Sequence, residues 1–399
     1  MKRLILTIGF LLIFLFSFSY KYIFLFIADG MGIPHLQLTN MYKENKYGET
    51  LNMMQLPYFA LVETSSLNGV TDSAAAITAI LSGEKTYNDM INTKGSKTLT
   101  PLTYLLKNDG YQVGVISTNS LVDATPAGAY AFVENRRDYQ KIVQDLLKSN
   151  FDLLISGGRA YLDKKEVEKH GYSYSEMLPQ TVIPQKEILA LYYGNFPFLT
   201  DNEQRITLEE SLKYALKKFG EDPFFLLIEG GRIDHAAHAH DTYSMIKEII
   251  DLDDAVKVAL EFYASNPYDT LIIVTSDHAT GGLSLGDGFL SLNKIKENRF
   301  SYEKMINVFN SSQSYSEFKK ILGLLEDLQE EFYASKNSTK NITYQSEIIK
   351  NYYDSLNNLI GLSWGTFGHT IDYVPLFSNI PNDTYLIKNN EIFYVFEIF

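Results

Sequence analysis

The chain has 399 residues, 45% of them hydrophobic and 21% charged, with 35 Lys plus Arg against 48 Asp plus Glu for a formal net charge of −13. At about 150 residues per domain, this length accommodates two or more domains, or one large α/β domain with an insertion. The composition excludes a disordered, collagenous or multi-span membrane protein, and the acidic balance argues against nucleic acid as a binding partner.

The first segment carries Lys2 and Arg3, an apolar run from Leu4 to Phe16, and then Ser17-Phe18-Ser19 in a small-x-small pattern. It reads as a signal peptide over residues 1–19, which predicts an exported protein, periplasmic or extracellular. The alternative, a retained membrane anchor, needs about 20 apolar residues, so no stable membrane insertion is expected. The chain has no Cys, so packing and bound metal must supply what disulfides supply in many exported proteins.

Five short apolar runs follow: Tyr22 to Ala28, Val113 to Ser117, Phe151 to Ile155, Phe224 to Ile228 and Thr270 to Thr275. They are continuous rather than alternating, the pattern of strands buried on both faces of a parallel sheet. Helical patterns lie between them at Asp72 to Leu81, Tyr139 to Lys148, Leu208 to Lys218 and Met245 to Tyr263. The β-α alternation predicts an α/β fold: a doubly wound, mostly parallel central sheet with helices on both faces. From residue 290 to 362 the character changes to polar helical patterns (Tyr302 to Phe309, Tyr315 to Glu331) around a Ser/Asn/Lys-rich stretch at 334–343. This segment has no His and follows no strand run, so it reads as an inserted helical cap or lid. The catalytic core is then expected at 20–289 and 363–399.

In an open parallel sheet, functional groups gather beyond the carboxyl ends of the strands. Here those ends read Ala28-Asp29-Gly30, Glu229-Gly230-Gly231-Arg232-Ile233-Asp234 and Ser276-Asp277-His278. Five of the seven histidines, His235, His238, His240, His278 and His369, fall in three polar clusters. A helix through Asp234 and His238 puts both on one face at i, i+4, a spacing that grips an ion. A solvated helix start capped by Asp234 would leave the histidines unexplained. Imidazoles and carboxylates without Cys favour zinc, cobalt or manganese with an open coordination position, and more than four candidate ligands call for at least two ions. Ser73 in Thr71-Asp72-Ser73-Ala74 reads alone as part of a helix cap. Beside divalent ions it becomes a candidate nucleophile, with helix amides to receive a phosphate. Thr125 and Glu229 are oxygen donors suited to magnesium, and Arg136 has the fork geometry that clamps phosphate oxygens.

Asp29-Gly30-Met31-Gly32, Thr71-Asp72-Ser73-Ala74-Ala75, Asp123-Ala124-Thr125-Pro126-Ala127 with Arg136, Glu229 through His235, Thr275-Ser276-Asp277-His278 and Gly368-His369-Thr370 together, in this order, resemble alkaline phosphatase. The resemblance runs from about Tyr22 to Phe377 and implies hydrolysis of small-molecule phosphate monoesters through a phosphoserine at Ser73. It implies one zinc on Asp234, His238 and His369, and a second on Asp29, Asp277 and His278. It also implies a magnesium on Thr125 and Glu229, bridged by Asp29, with cobalt able to replace zinc. Arg136 would grip two phosphate oxygens, oriented by Asp72. Asp123 stands where some bacterial members hold Asp and animal members His, and His235 where members hold Lys, His or Trp. This pair leaves the third site open between magnesium reached through water and a stronger demand for zinc or cobalt. His240 matches no ligand and reads as a helix-surface histidine or one supporting a ligand from behind. Homodimers are common in the family, but no interface is legible here. Two alternatives remain: a phosphodiesterase, cofactor-independent phosphoglycerate mutase or sulfatase on the same ligand pattern, and a non-catalytic phosphate- or metal-binding relative. The Thr125/Glu229 pair and Arg136 favour monoesters over the first, and an intact Ser73 speaks against the second.

Overall fold

All five apolar runs lie in strands of one sheet, because both faces of each are covered. The computed structural model describes residues 20–286, 288–297, 299–323, 327–338, 340–381 and 384–396. The signal peptide expected at 1–19 lies outside the described residues.

In chain order the sheet strands are β1 (Tyr22–Ile27), β2 (Tyr58–Glu63), β3 (Gln112–Ser120), β4 (Leu153–Gly157), β5 (Ser173–Ser175), β6 (Glu187–Ala190), β7 (Phe224–Glu229), β8 (Thr270–Thr275), β9 (Val374–Ser378) and β10 (Leu386–Lys388). They form a ten-stranded sheet in the order β10-β2-β9-β8-β1-β7-β3-β4-β6-β5. Among the described residues, β9 alone runs antiparallel, to β8 and β2; every other pairing is parallel. Ile27 pairs with Thr275 on one side and Glu229 on the other. The segments leaving β1, β7 and β8 therefore emerge side by side.

The helices of the core include α1 (Ile33–Tyr47), α2 (Ser73–Ser82), α3 (Leu102–Asn108), α4 (Tyr139–Lys148), α5 (Leu208–Phe219), α6 (Arg232–His238) and α7 (Thr242–Ser265). Successive side chains of a strand point to opposite faces. Tyr22, Phe24 and Phe26 accordingly join α1, α5 and α7 in one apolar cluster, while Ile23, Leu25 and Ile27 join α2, α3 and α4 in the other. This two-sided burial is the doubly wound α/β arrangement. A fully buried side chain such as Phe24 contributes about 2 to 3 kcal/mol by leaving water.

Beyond β8 the chain forms α8 (Tyr302–Ser311), α9 (Tyr315–Leu322), α10 (Gln329–Lys336) and α11 (Glu347–Ile360). These pack around a separate cluster that includes Met305, Phe309, Phe318, Phe332, Ile349 and Tyr353. The single helical pattern expected from Tyr315 to Glu331 is two helices. Gly323 at the end of α9 takes φ +63°, a left-handed cap that stops a helix although apolar residues continue beyond it. Polar contacts seat the segment on the core: Tyr302 N–H and the Tyr353 hydroxyl both donate to Asp241 Oδ2 at 3.2 Å. Two short antiparallel ladders then return the chain to the sheet edge, Leu283–Leu285 with Leu362–Trp364 and Ala279–Thr280 with His369–Thr370. No helix of the described residues is long and apolar enough to cross a membrane.

Candidate active site

Asp29 follows β1, Glu229 ends β7, and Asp277-His278 follow β8, all on one edge and all buried. Gly30 turns the chain after Asp29 with φ +77°, and a Cβ there would lie 2.9 Å from both Asp234 Oδ1 and Thr280 Oγ1. Conformation and close approach both require glycine. Gly30 N–H donates to Asp277 Oδ1 at 3.2 Å and Met31 N–H to Ser276 Oγ at 3.0 Å, which ties the exits of β1 and β8 together.

Three imidazoles face this edge, each held from behind through Nδ1. His238 Nδ1–H donates to the Phe367 carbonyl, and His369 Nδ1–H donates to the Thr71 carbonyl at 2.9 Å. Thr280 donates its hydroxyl to Asp234 Oδ1 at 2.6 Å, so it accepts from His278 Nδ1–H at 3.2 Å. The Nε2 atoms are thereby turned inward: His238 to Asp234 Oδ2 at 3.3 Å, His369 to Asp234 Oδ1 at 3.8 Å, and His278 to Asp277 Oδ2 at 3.2 Å and Asp29 Oδ1 at 3.5 Å. Imidazole lone pairs aimed at carboxylate oxygens repel unless a cation lies between them. Asp29 Oδ1 and Asp277 Oδ2 are buried without a hydrogen-bond partner. Asp234, His278 and His369 offer ligand atoms within 4.8 Å of one another, as do Asp29, Asp277 and His278. The donor set fits two adjacent cations with nitrogen and oxygen ligands.

The electrostatics agree. Burial, followed by neighbouring carboxylates, pushes Asp29 well above the usual range, Asp277 up to about 7 and Glu229 up to about 8. Burial works against charge on His238, but Asp234 beside it holds its pKa up at about 9.

The Ser73 hydroxyl, in the first turn of α2, lies 3.2 Å from His278 Nε2. Asp72 caps this helix through Oδ1, which accepts from Ala75 N–H at 2.9 Å, and its Oδ2 pairs with Arg136 Nη1 at 3.2 Å. The second arm of Arg136 meets Asp123 Oδ1 at 3.0 Å. The guanidinium is therefore held flat between two carboxylates, beside the Ser73 turn. Ser117 donates to Glu229 Oε2 and Asn119 Nδ2 to Oε1 at 3.4 Å, while Thr125 Oγ1 is buried without a partner. An oxygen-only corner with an orphaned hydroxyl suits a hard cation.

The structure thus brings Asp29, Ser73, Asp234, His238, Asp277, His278 and His369 into one cluster, with Asp72, Asp123 and Arg136 along one side and Glu229 beneath. His235 sits on α6, facing Arg232. His240 departs from the helix-surface expectation. It follows α6 with φ +58° and is buried, stacked on Phe367 at 4.2 Å and Trp364 at 5.2 Å between ring centroids. Its Nε2–H donates to the Thr366 carbonyl at 2.8 Å, bracing the loop that carries His369. Sequence reasoning missed Thr280, Ser117 and Asn119, which hydrogen-bond to candidate ligands. The signal available for Thr280 was its place two residues past His278, and for Ser117 and Asn119 their place at the carboxyl end of β3.

The sequence profile of the family described as Alkaline phosphatase matches residues 20–398. Alkaline phosphatase 3 of Bacillus subtilis (strain 168) is 30% identical over 406 residues, covering 92% of this chain and 86% of the relative. Alkaline phosphatase of Escherichia coli (strain K12) is 30% identical over 324 residues, covering 63% of this chain and 69% of the relative. The crystal structure of a cold-active alkaline phosphatase from the psychrophile Shewanella sp. superposes with a TM-score of 0.83 at 26% identity, covering 94% of this chain and 98% of that one. A profile spanning the described core, a relative aligned over nearly the whole chain and a sheet edge built from these ligands converge: the chain belongs to the alkaline phosphatase family and is a phosphatase hydrolase.

Proposed function

We propose that the protein is an exported alkaline phosphatase that hydrolyses phosphate monoesters to an alcohol and inorganic phosphate through a phosphoserine at Ser73. The observation that carries this reading is the Ser73 hydroxyl 3.2 Å from His278 Nε2, the same nitrogen that faces Asp277 and Asp29. A hydroxyl at a helix start, facing a cation site and flanked by a guanidinium, is placed for attack on phosphorus.

Asp234, His238 and His369 would hold one zinc-type ion, and Asp29, Asp277 and His278 a second. Thr125 and Glu229, bridged by Asp29, would hold magnesium. Bound there, these ions supply charge that favours the ionised hydroxyl and stabilises the entering and leaving oxygens of an in-line displacement. Arg136 presents two N–H donors to phosphoryl oxygens, kept in plane by Asp72 and Asp123. The amides of the first turn of α2 add donors that need no reorganisation during reaction. In the first step the bond from phosphorus to the ester oxygen breaks as the bond to Ser73 Oγ forms; in the second, water displaces Ser73. Export rests on the basic and apolar segment before Tyr20, and residues 290–362 act as a cap beside the site.

The test is an assay of chelated and metal-reloaded protein against p-nitrophenyl phosphate and bis(p-nitrophenyl) phosphate, with acid quenching and mass spectrometry of the Ser73 peptide. Metal-dependent monoester cleavage with phosphate on Ser73 is expected. Equal or better diester cleavage moves the chain to the phosphodiesterase branch.

A further inference from the structure

Arg232, two residues before Asp234, is 1% exposed and takes no part in the chemistry above. Its guanidinium carbon lies 3.8 Å from the centre of the Phe198 ring. Its Nη1 is 2.6 Å from His235 Nδ1, and its Nη2 is 2.7 Å from Glu303 Oε1. Glu303 belongs to α8, in the inserted segment. The buried carboxylates nearby, Glu248 and Asp251, are paired instead with Arg205 at 2.7 and 2.9 Å. Among the described residues, Glu303 is therefore the carboxylate ion-paired with Arg232.

An arginine only donates hydrogen bonds. His235 Nδ1 must accept from it, so a neutral His235 carries its proton on Nε2. A histidine at an unconstrained helix start would exchange tautomers freely; this ring has one selected for it. His235 lies within electrostatic reach of Asp123 and Asp234, and Asp123 is the carboxylate that seats Arg136. With Nδ1 engaged by Arg232, Nε2–H is the one ring donor left for a group in the site.

We propose that Arg232 is a positioning residue: anchored by Glu303 of the inserted segment and stacked on Phe198, it fixes His235 as an Nε2–H donor for a phosphoryl oxygen. The inference rests on the phosphatase reading of the site and adds to it a role for the insertion, which supplies the counter-charge that keeps Arg232 in place. A buried arginine without its carboxylate is costly, so disturbing Glu303 should release the guanidinium and with it the ring.

Mature protein loaded with zinc and magnesium and labelled with ¹⁵N-histidine tests this directly, the His235 signal being assigned by its loss in His235→Ala. The wild type should show a protonated Nε2 and an unprotonated Nδ1 at His235, and Glu303→Gln and Arg232→Met should show mixed tautomers. An unchanged tautomer in Glu303→Gln overturns the proposal, and that half-exposed position decides the matter even if Arg232→Met does not fold. In a double-mutant cycle on p-nitrophenyl phosphate, Glu303→Gln should lower kcat/KM about threefold to tenfold with His235 present and less than about 1.5-fold in His235→Ala. Equal losses in both backgrounds overturn the proposal. A wild type without turnover would remove the phosphatase reading, while the ring nitrogen shifts would still decide the Arg232 contact.

Discussion

At the centre of the sheet every strand position is buried: all six residues of β1, of β7 and of β8 are inside. The inserted helices bury one stripe each, such as Met305 with Phe309 and Phe318 with Leu322, and leave the other face in water. The first region tolerates little change, because each side chain is enclosed on both faces and the candidate ligands hang from its ends. The second needs only its stripe and a few polar attachments, among them Tyr353 to Asp241, Thr242 to Asn357 and Glu303 to Arg232. The candidate metal ligands are thus carried by the enclosed part, and the helical segment reaches the site through few contacts.

The largest effect expected is at the nucleophile. Ser73→Ala should lower kcat at least about 10³-fold, since an interaction made in forming the intermediate is lost with no substitute. Retention of a tenth of wild-type turnover would break the division between a catalytic edge and a supporting insertion.

Metal removal comes next, read as stability. If each ion is held about a thousandfold above its Kd, chelation removes about 4 kcal/mol per ion, a drop of roughly 5 °C in Tm per ion for a chain of 399 residues, whose unfolding entropy is about 0.8 kcal/mol/K. The metal-free protein should also be sensitive to pH in a defined direction. Asp277 and Glu229 are pushed up to about 7 and about 8, so above the ordinary carboxylate range these two groups hold more protons in the folded chain than in the unfolded one. Buried histidines held low, such as His278 and His369, act in the opposite sense below about 6.5, so the net fall in stability is expected as pH rises from about 6.5 through 8. His238 adds the same sign, its stabilisation being complete below about 6.5 and lost as pH rises through about 9. Calorimetry of chelated protein that finds rising stability over this range would overturn the reading of the edge as a cation site.

A smaller loss is expected at Arg136, where Arg136→Ala removes charge-assisted bonds worth about 1.5 to 3 kcal/mol. This corresponds to a decrease of about ten- to 150-fold in kcat/KM for the monoester. The diester should suffer less, and an equal loss on both substrates would remove the specificity argument.

The smallest effect on activity should come from the insertion's own core. Phe332→Ala should destabilise that cluster by about 3 to 5 kcal/mol, seen as faster hydrogen exchange in α8 to α11. Protection in β1, β7 and β8 should persist, and p-nitrophenyl phosphate turnover should change less than about tenfold. Simultaneous loss of protection in both regions would show that they fold as one unit.

Much of the core was legible. The runs at Tyr22, Phe224 and Thr270 became strands within a residue of the expected limits, because strands enclosed on both faces must be continuously apolar. Tyr139–Lys148 and Leu208–Phe219 were legible as helices from their stripes. The outer strands were not: β5, β6 and β10 have three or four residues, and β2 is exposed at Tyr58 and Phe59, so none carries a distinct pattern. Asp234 and His238 were legible as a pair because a helix sets their separation. The contact of Ser73 with His278 spans 205 positions, and no local pattern encodes it.

By itself, then, the sequence determined which segments are strands and helices and which carboxylates and imidazoles end at strand termini, since periodicity and residue chemistry are local properties. Only the tertiary structure decided that Thr280, Ser117 and Asn119 hydrogen-bond to the candidate ligands, that His240 is stacked beneath the His369 loop, and that Glu303 reaches Arg232. Each of these depends on where distant segments cross, and that is set by packing the whole sheet against its helices.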